Sequence, residues 1–199
     1  MLENVRADLL RNCRPGERWQ DVAWRWRDVL RVLFDRPGAW AVAEFRLRHW
    51  LTGRPRAVRL LLMPATFVSR HLIEIVTGIS IHANARLGPG LYVGHFGAVV
   101  IGGGVCAGEN LTVSQGVTIG EHRGSPTLGA QVYVGPGAKV FGAIAVGDHV
   151  AIGANAVVQR DVPLGCTVVT AEARVIAGRG NMMASTRALF PGLGSDESD

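Results

Sequence analysis

From Ile81 onward an aliphatic residue returns at every sixth position: Leu87, Val93 and, after a step of eight, Ile101, Ala107, Val113 and Ile119. A step of nine leads to Leu128, and sixes then run through Val134, Val140, Val146, Ile152, Val158 and Leu164. The position two before each anchor is apolar as well, from Ile79 and Ala85 to Ala156 and Val162, with Pro126 as the exception. Glycine follows the anchor at Gly88, Gly94, Gly102, Gly108, Gly120, Gly129, Gly135, Gly147 and Gly153. Alternation sends two aliphatic side chains inward per hexad, as a strand does. A small residue then lets the chain turn a corner, where positive φ or a close approach is required. An amphipathic helix has no strict six-residue period. The pattern therefore predicts a solenoid of short parallel strands whose rungs bury one another, interrupted by insertions of two residues near His95 and three within Glu121 to Thr127.

Before Gly78 the pattern is helical. Trp19, Val22, Trp26, Val29, Leu30 and Leu33 follow at three- and four-residue steps, and Asp35-Arg36-Pro37-Gly38 ends that run. A second helix is expected in "AWAVAEFRLRHWL" and a third in "PRAVRLLLMPATFVSRHLIEIVTG", kinked at Pro64 and closed by Gly78. These predict an α-helical cap over 1–78, the solenoid over 79–176 and a solvated tail over 177–199. His49 and His71 read as packed or surface histidines of the cap.

Composition narrows the class. The longest apolar run, Leu60 to Val68, is interrupted by Pro64 and falls short of the ~18 residues that span a bilayer. The first 18 residues carry four arginines and no apolar block, unlike a secretory signal. Cys13, Cys106 and Cys166 have neither disulfide-framework nor metal-ligand spacing. A soluble protein of the reducing cytoplasm is expected. Charge divides unevenly: residues 1–78 hold 14 Arg against 8 acids, and residues 79–199 hold 6 Arg and 1 Lys against 8 acids. The cap thus suits an anionic partner, such as nucleotide phosphates or an acidic membrane surface, or carries only solvated helix faces. No nucleic-acid motif accompanies the charge.

Uniform rungs offer no pocket, so chemistry is sought in the departures. On spacing alone, His95 is open between a solvated corner residue and a functional one. The runs "ISIHANARLGPGLYVGHFGAVVIGGG", "LTVSQGVTIG" and "VYVGPGAKVFGAIAVGDHVAIGANAVVQRDVP" resemble the serine O-acetyltransferase branch of the hexapeptide-repeat acyltransferases. The resemblance covers about Gly78 to Ile176 and implies a left-handed parallel β-helix. It implies acetyl-CoA as co-substrate, no metal, and a homotrimer with sites between subunits; pairing of trimers into a hexamer stays open. His95 corresponds to the general base, which takes a hydroxyl proton during attack on a thioester. The neighbourhood of Gly120, Gly135, Ala138, Gly153 and Ala154 corresponds to the coenzyme groove. Arg160 or Arg174 stands where nucleotide phosphates would lie.

The departures from that family bear on the acceptor. Ser80 replaces the acid before the "IHP"-like motif, Gly94 the acid before His95, and Gly124-Ser125 the Arg-His pair of the long loop. Asp35 or Arg36 falls at the family's acidic cap motif. Ser80, Arg36 and His122 are the candidate acceptor contacts. Loss of the clamp for a zwitterion leads to the expectation of a saccharide or specialised biosynthetic hydroxyl as acceptor. Serine itself, with a rebuilt clamp, is the alternative; a non-catalytic trimeric scaffold is a third reading. A zinc-dependent hydratase on the same solenoid would need three metal-binding histidines, and His82, His95, His122 and His149 do not show that spacing.

Overall fold

The computed structural model describes residues 2–13, 19–21, 27, 30, 32 and 35–171 of the chain. Most of the amphipathic stretch between Trp19 and Leu33, together with Arg174 and the tail, lies outside them. Three α-helices, α1 (Leu2–Cys13), α2 (Pro37–Thr52) and α3 (Arg56–Thr77), precede the strands among the described residues.

The strands form three parallel sheets, the faces of a left-handed triangular prism of about four turns. Sheet A stacks β1 (Ile79–Ile81), β4 (Val99–Ile101), β7 (Thr118–Gly120), β10 (Lys139–Phe141) and β13 (Val157–Val158). Sheet B stacks β2 (Arg86–Leu87), β5 (Cys106–Ala107), β8 (Thr127–Leu128) and β11 (Ala145–Val146). Sheet C stacks β3 (Tyr92–Val93), β6 (Thr112–Val113), β9 (Tyr133–Val134), β12 (Ala151–Ile152) and β14 (Thr167–Val168). The hexad anchors are the inward residues. Ile101, Val113, Ile119, Val134, Val140 and Ile152 are all buried in one aliphatic column. The register absorbs both insertions, because Ile79 pairs with Val99 and Lys139 with Thr118 although the latter step spans an extra three residues.

The two roles open to the corner residues separate cleanly. Glycines that follow the anchors lie where a Cβ would press on the next coil's backbone, as at Gly88 against Gly108 (2.6 Å) and Gly135 against Ile152 (2.7 Å). Positive φ falls later in the corner, at Gly90, Asn110, Gln131, His149 and Gly165 along one edge. His149 is thus a corner residue. Outward on sheet A, Lys139, the only lysine of the sequence, donates through Nζ to the Gly116 carbonyl and the Thr118 hydroxyl.

The cap docks on the prism through Ala41, Val42 and Phe45, which join the aliphatic core, and through buried polar contacts. Asp8 accepts from Arg46 Nε (2.7 Å) and from the Leu91 N–H (2.8 Å), and Arg46 also reaches the Leu87 and Gly88 carbonyls. Burial pushes the Asp8 carboxyl up from its ordinary range, against the pull of Arg46 and the backbone donors. Gly38, in the first turn of α2, lies against the Val93 carbonyl, where any Cβ would overlap. The sequence predicts a kink at Pro64, yet α3 runs as one helix through it. Leu61 (79% exposed), Phe67, Leu72 and Ile75 (81%) leave an apolar face of α3 uncovered. By length and composition this helix also meets the minimum for crossing a membrane, which the run Leu60 to Val68 read in isolation does not.

Candidate active site

The two-residue insertion opens the corner between β3 and β4, on the edge joining sheets C and A. Both ends are pinned. The Gly94 N–H stays on the ladder, donating to the Val113 carbonyl, and the Gly97 N–H donates to the Thr77 carbonyl at the end of α3 (2.8 Å). Gly97 (φ 107°) and Ala98 (φ 52°) take the reversal in the left-handed region. Between these anchors His95 and Phe96 project outward, with Phe96 63% exposed. Among the described residues neither nitrogen of His95 has a hydrogen-bond partner, so the imidazole is free to exchange a proton with a ligand.

Below His95 the same edge continues through Ser114–Gln115–Gly116, Gly135–Pro136–Gly137 and Gly153–Ala154–Asn155, linked by backbone bonds such as Gly116 N–H to Gly97 O (2.9 Å) and Gly137 N–H to Gln115 O (2.9 Å). Gly135, Gly153 and Ala154 therefore share an edge with His95. Gly153 and Ala154 carry no side chain longer than a methyl themselves, which suits the approach of an extended amide-bearing arm such as pantetheine. Two other expected contacts do not join them. Ala138 is fully buried and points into the prism, so its methyl cannot line a groove. Gly120 sits at the far end of sheet A, its Cα against the Phe141 ring.

That far edge, between sheets A and B, carries the second insertion. Its loop folds back on the coil before it: Glu121 Oε1 accepts from the Gly104 N–H (2.7 Å), and the His122 N–H donates to the Gly124 carbonyl (2.9 Å). His122 is exposed there, and Arg160 follows on the same edge below. Within one chain, the width of sheet A separates His95 from Gly120, His122 and Arg160. Arg174 lies outside the described residues.

Two candidate acceptor contacts acquire partners the sequence did not announce. The Ser80 hydroxyl donates to Glu74 Oε1 (2.7 Å), which also accepts from Arg70 Nε (3.0 Å). Burial alone would raise the Glu74 carboxyl, but the Ser80 hydroxyl and Arg70 hold it below the usual value of 4.5. A carboxylate thus stands one helical turn before Thr77–Gly78, the segment on which the His95 corner is pinned. Arg36 donates to the Tyr92 hydroxyl (3.0 Å), three residues before His95. Among the described residues no group of three His, Cys, Asp or Glu side chains could hold a metal.

No family model matches the chain. It is 42% identical over 159 residues to the serine acetyltransferase of Synechococcus elongatus, covering 77% of this chain and 63% of that protein. It is 42% identical over 158 residues to the serine acetyltransferase of Helicobacter pylori, covering 75% and 87%. Among solved structures it resembles serine acetyltransferase isoform 3 of Entamoeba histolytica in complex with cysteine, with a TM-score of 0.70 at 25% identity over 95% of this chain and 64% of that one. The Neisseria gonorrhoeae serine acetyltransferase in complex with serine gives a TM-score of 0.68 at 30% identity, covering 87% and 68%. The chain spans about 63% of the Synechococcus relative's length.

Proposed function

Because the chain belongs to the serine acetyltransferase family, we propose that it is an acetyl-CoA-dependent O-acetyltransferase with L-serine as its first acceptor. The observation that supports this best is the His95 corner, an exposed imidazole rigidly held above a small-residue edge. Acetyl-CoA supplies a thioester acetyl group. His95 takes the proton of the acceptor hydroxyl as its oxygen bonds to the carbonyl carbon. When the carbon–sulfur bond breaks, His95 returns that proton to the departing thiolate. Backbone N–H groups of the corners are the available donors for the oxyanion. Glu74 offers a carboxylate close to where Ser80 leaves one missing, which favours an ammonium-bearing acceptor.

The separation of His95 from Gly120, His122 and Arg160 across sheet A supports a site built between chains. We place the enzyme in a homotrimer, the closed symmetry that joins unlike edges around one axis. Sedimentation velocity is then expected to give three times the 21.3 kDa chain mass; a monomeric, fully active enzyme excludes the shared site. A saccharide acceptor has no support from the relatives named above, which are serine acetyltransferases. Gly94 and Gly124-Ser125, where the resembled family has charged groups, keep it as the second reading. The deciding assay is thiol release from acetyl-CoA with L-serine and with sugars offered separately. Saturable serine turnover that falls about 10²- to 10⁴-fold in His95→Ala is expected. Wild-type rates in that variant would remove His95 as base, and no turnover of any acceptor by the wild type would leave the scaffold reading.

A further inference from the structure

We propose that Arg36, seated by Tyr92 beside His95, determines acceptor specificity by binding an anionic group of the acceptor. This rests on the O-acetyltransferase reading and names the chemistry of its second substrate.

Arg36 is half-buried immediately before α2, and its Nη1 donates to the Tyr92 hydroxyl at 3.0 Å. Tyr92 faces outward on β3, and its ring lies so close to Gly94 that a Cβ there would be 3.3 Å from Cε1. The guanidinium is therefore anchored directly upstream of the catalytic corner, on the same side of the chain as the cap. Tyr92 and His95 are three positions apart, so their Cα atoms are separated by at most about 10 Å of extended backbone. Under the proposal one acceptor sets a hydroxyl on His95 and its anionic group on Arg36. Among the described residues no carboxylate pairs with Arg36, and the adjacent Asp35 makes no ion pair with it.

A second arginine points to the same charge. Arg11 is 7% exposed, and its Nη2 donates to the Thr112 hydroxyl (3.0 Å). Thr112 is the direct cross-strand neighbour of Tyr92. The Arg11 Nε and Nη1 are buried without a hydrogen-bond partner among the described residues. Burying a cation with unused donors is costly unless an anion or water meets them. Two guanidinia held on neighbouring rungs, unmatched by an acid among the described residues, favour a carboxylate or phosphate at this end of the acceptor. Arginine suits that role because its planar fork gives paired, charge-assisted bonds to such groups. The excess of arginine over acids in residues 1–78 draws the same ligands.

The test is steady-state thiol release from acetyl-CoA by the full chain, with acceptors in matched pairs: glycerate against glycerol, L-serine against serinol, glucuronic acid against glucose. The carboxylated member should be preferred by about ten- to hundredfold in kcat/KM. Arg36→Gln should erase the preference through KM, with kcat held, and Arg36→Lys should restore part of it. An unchanged preference in Arg36→Gln, or better turnover of the neutral members by the wild type, overturns the assignment. If no acceptor is acetylated, the O-acetyltransferase reading fails and calorimetric titration with glycerate still decides the anion site. Heat that disappears in Arg36→Gln keeps the site; equal heat from both proteins, or none from either, removes it.

Discussion

The solenoid and its cap are held by different physics. Inside the prism the contacts are aliphatic and interchangeable: Val113, Ile119, Val134 and Ile152, from three successive coils, all belong to one hydrophobic cluster. The cap meets sheet C through a few directional bonds, with Asp8 and Arg46 both almost fully buried at the centre. Burial of hydrocarbon is non-directional and sums over layers. A buried ion pair is worth little against an apolar replacement, yet losing one partner strands the other. The prism is therefore repetitive, while the helix after Arg36 joins its core through Ala41, Val42 and Phe45 and adds a buried ion pair whose two partners depend on each other. The His95 corner lies on the boundary between the two regimes, with Gly38 of the cap resting on the carbonyl just before Gly94.

The sharpest way to break this contrast is to remove one half of the ion pair. Asp8→Ala should cost about 3–5 kcal/mol, seen in urea unfolding as a cap transition that precedes that of the strands. Asp8→Leu combined with Arg46→Leu should recover most of the loss. A single unfolding step at the wild-type midpoint in Asp8→Ala would mean that cap and prism are not separate regimes. Ile119→Ala comes next, because its cost is a cavity and a lost transfer term of about 2–5 kcal/mol. It should shift the strand transition and leave the docking of the cap intact. The smallest effect concerns the Glu74–Ser80 tie at the junction. Glu74 has its folded pKa depressed below 4.5, so its contribution to stability is present above that value and is lost as pH falls through the folded pKa. Carboxyl NMR titration should show Glu74 moving up toward 4.5 in Ser80→Ala; no movement would deny Ser80 a share in holding the charge.

How far the sequence reached also divides along this line. The hexad pattern located the rungs and both insertions, since a periodic apolar column is written in adjacent residues. Counting anchors in threes would have gone further: Ile119 falls on sheet A and Val134 on sheet C, which puts Gly120 and Gly135 on different edges. The direction of Ala138 was legible too, because it occupies the inward position two before Val140. The polar seam was not legible. Asp8 and Arg46 are 38 residues apart, and Arg36 and Tyr92 are 56 apart; nothing in either local pattern selects its partner. Glu74 carried only one faint signal, an acid four residues before the glycine that closes α3. The uncovered face of α3 escaped because Pro64 was read as a break, while the helix accommodates it.

One quiet feature of sheet A bears on how the chain would withstand the thioester proposed as its substrate. Thioesters acylate free ε-amines without assistance, and lysine is the side chain that ordinarily accumulates such adducts. This chain presents a single lysine, and its nitrogen is already engaged between the Gly116 carbonyl and the Thr118 hydroxyl. Elsewhere its side-chain positive charge is carried by arginine, whose guanidinium stays protonated and unreactive at neutral pH. Acetylation by activated acetyl groups therefore has little lysine charge to remove, so the charge pattern, and with it the attraction for anions, is kept by arginine.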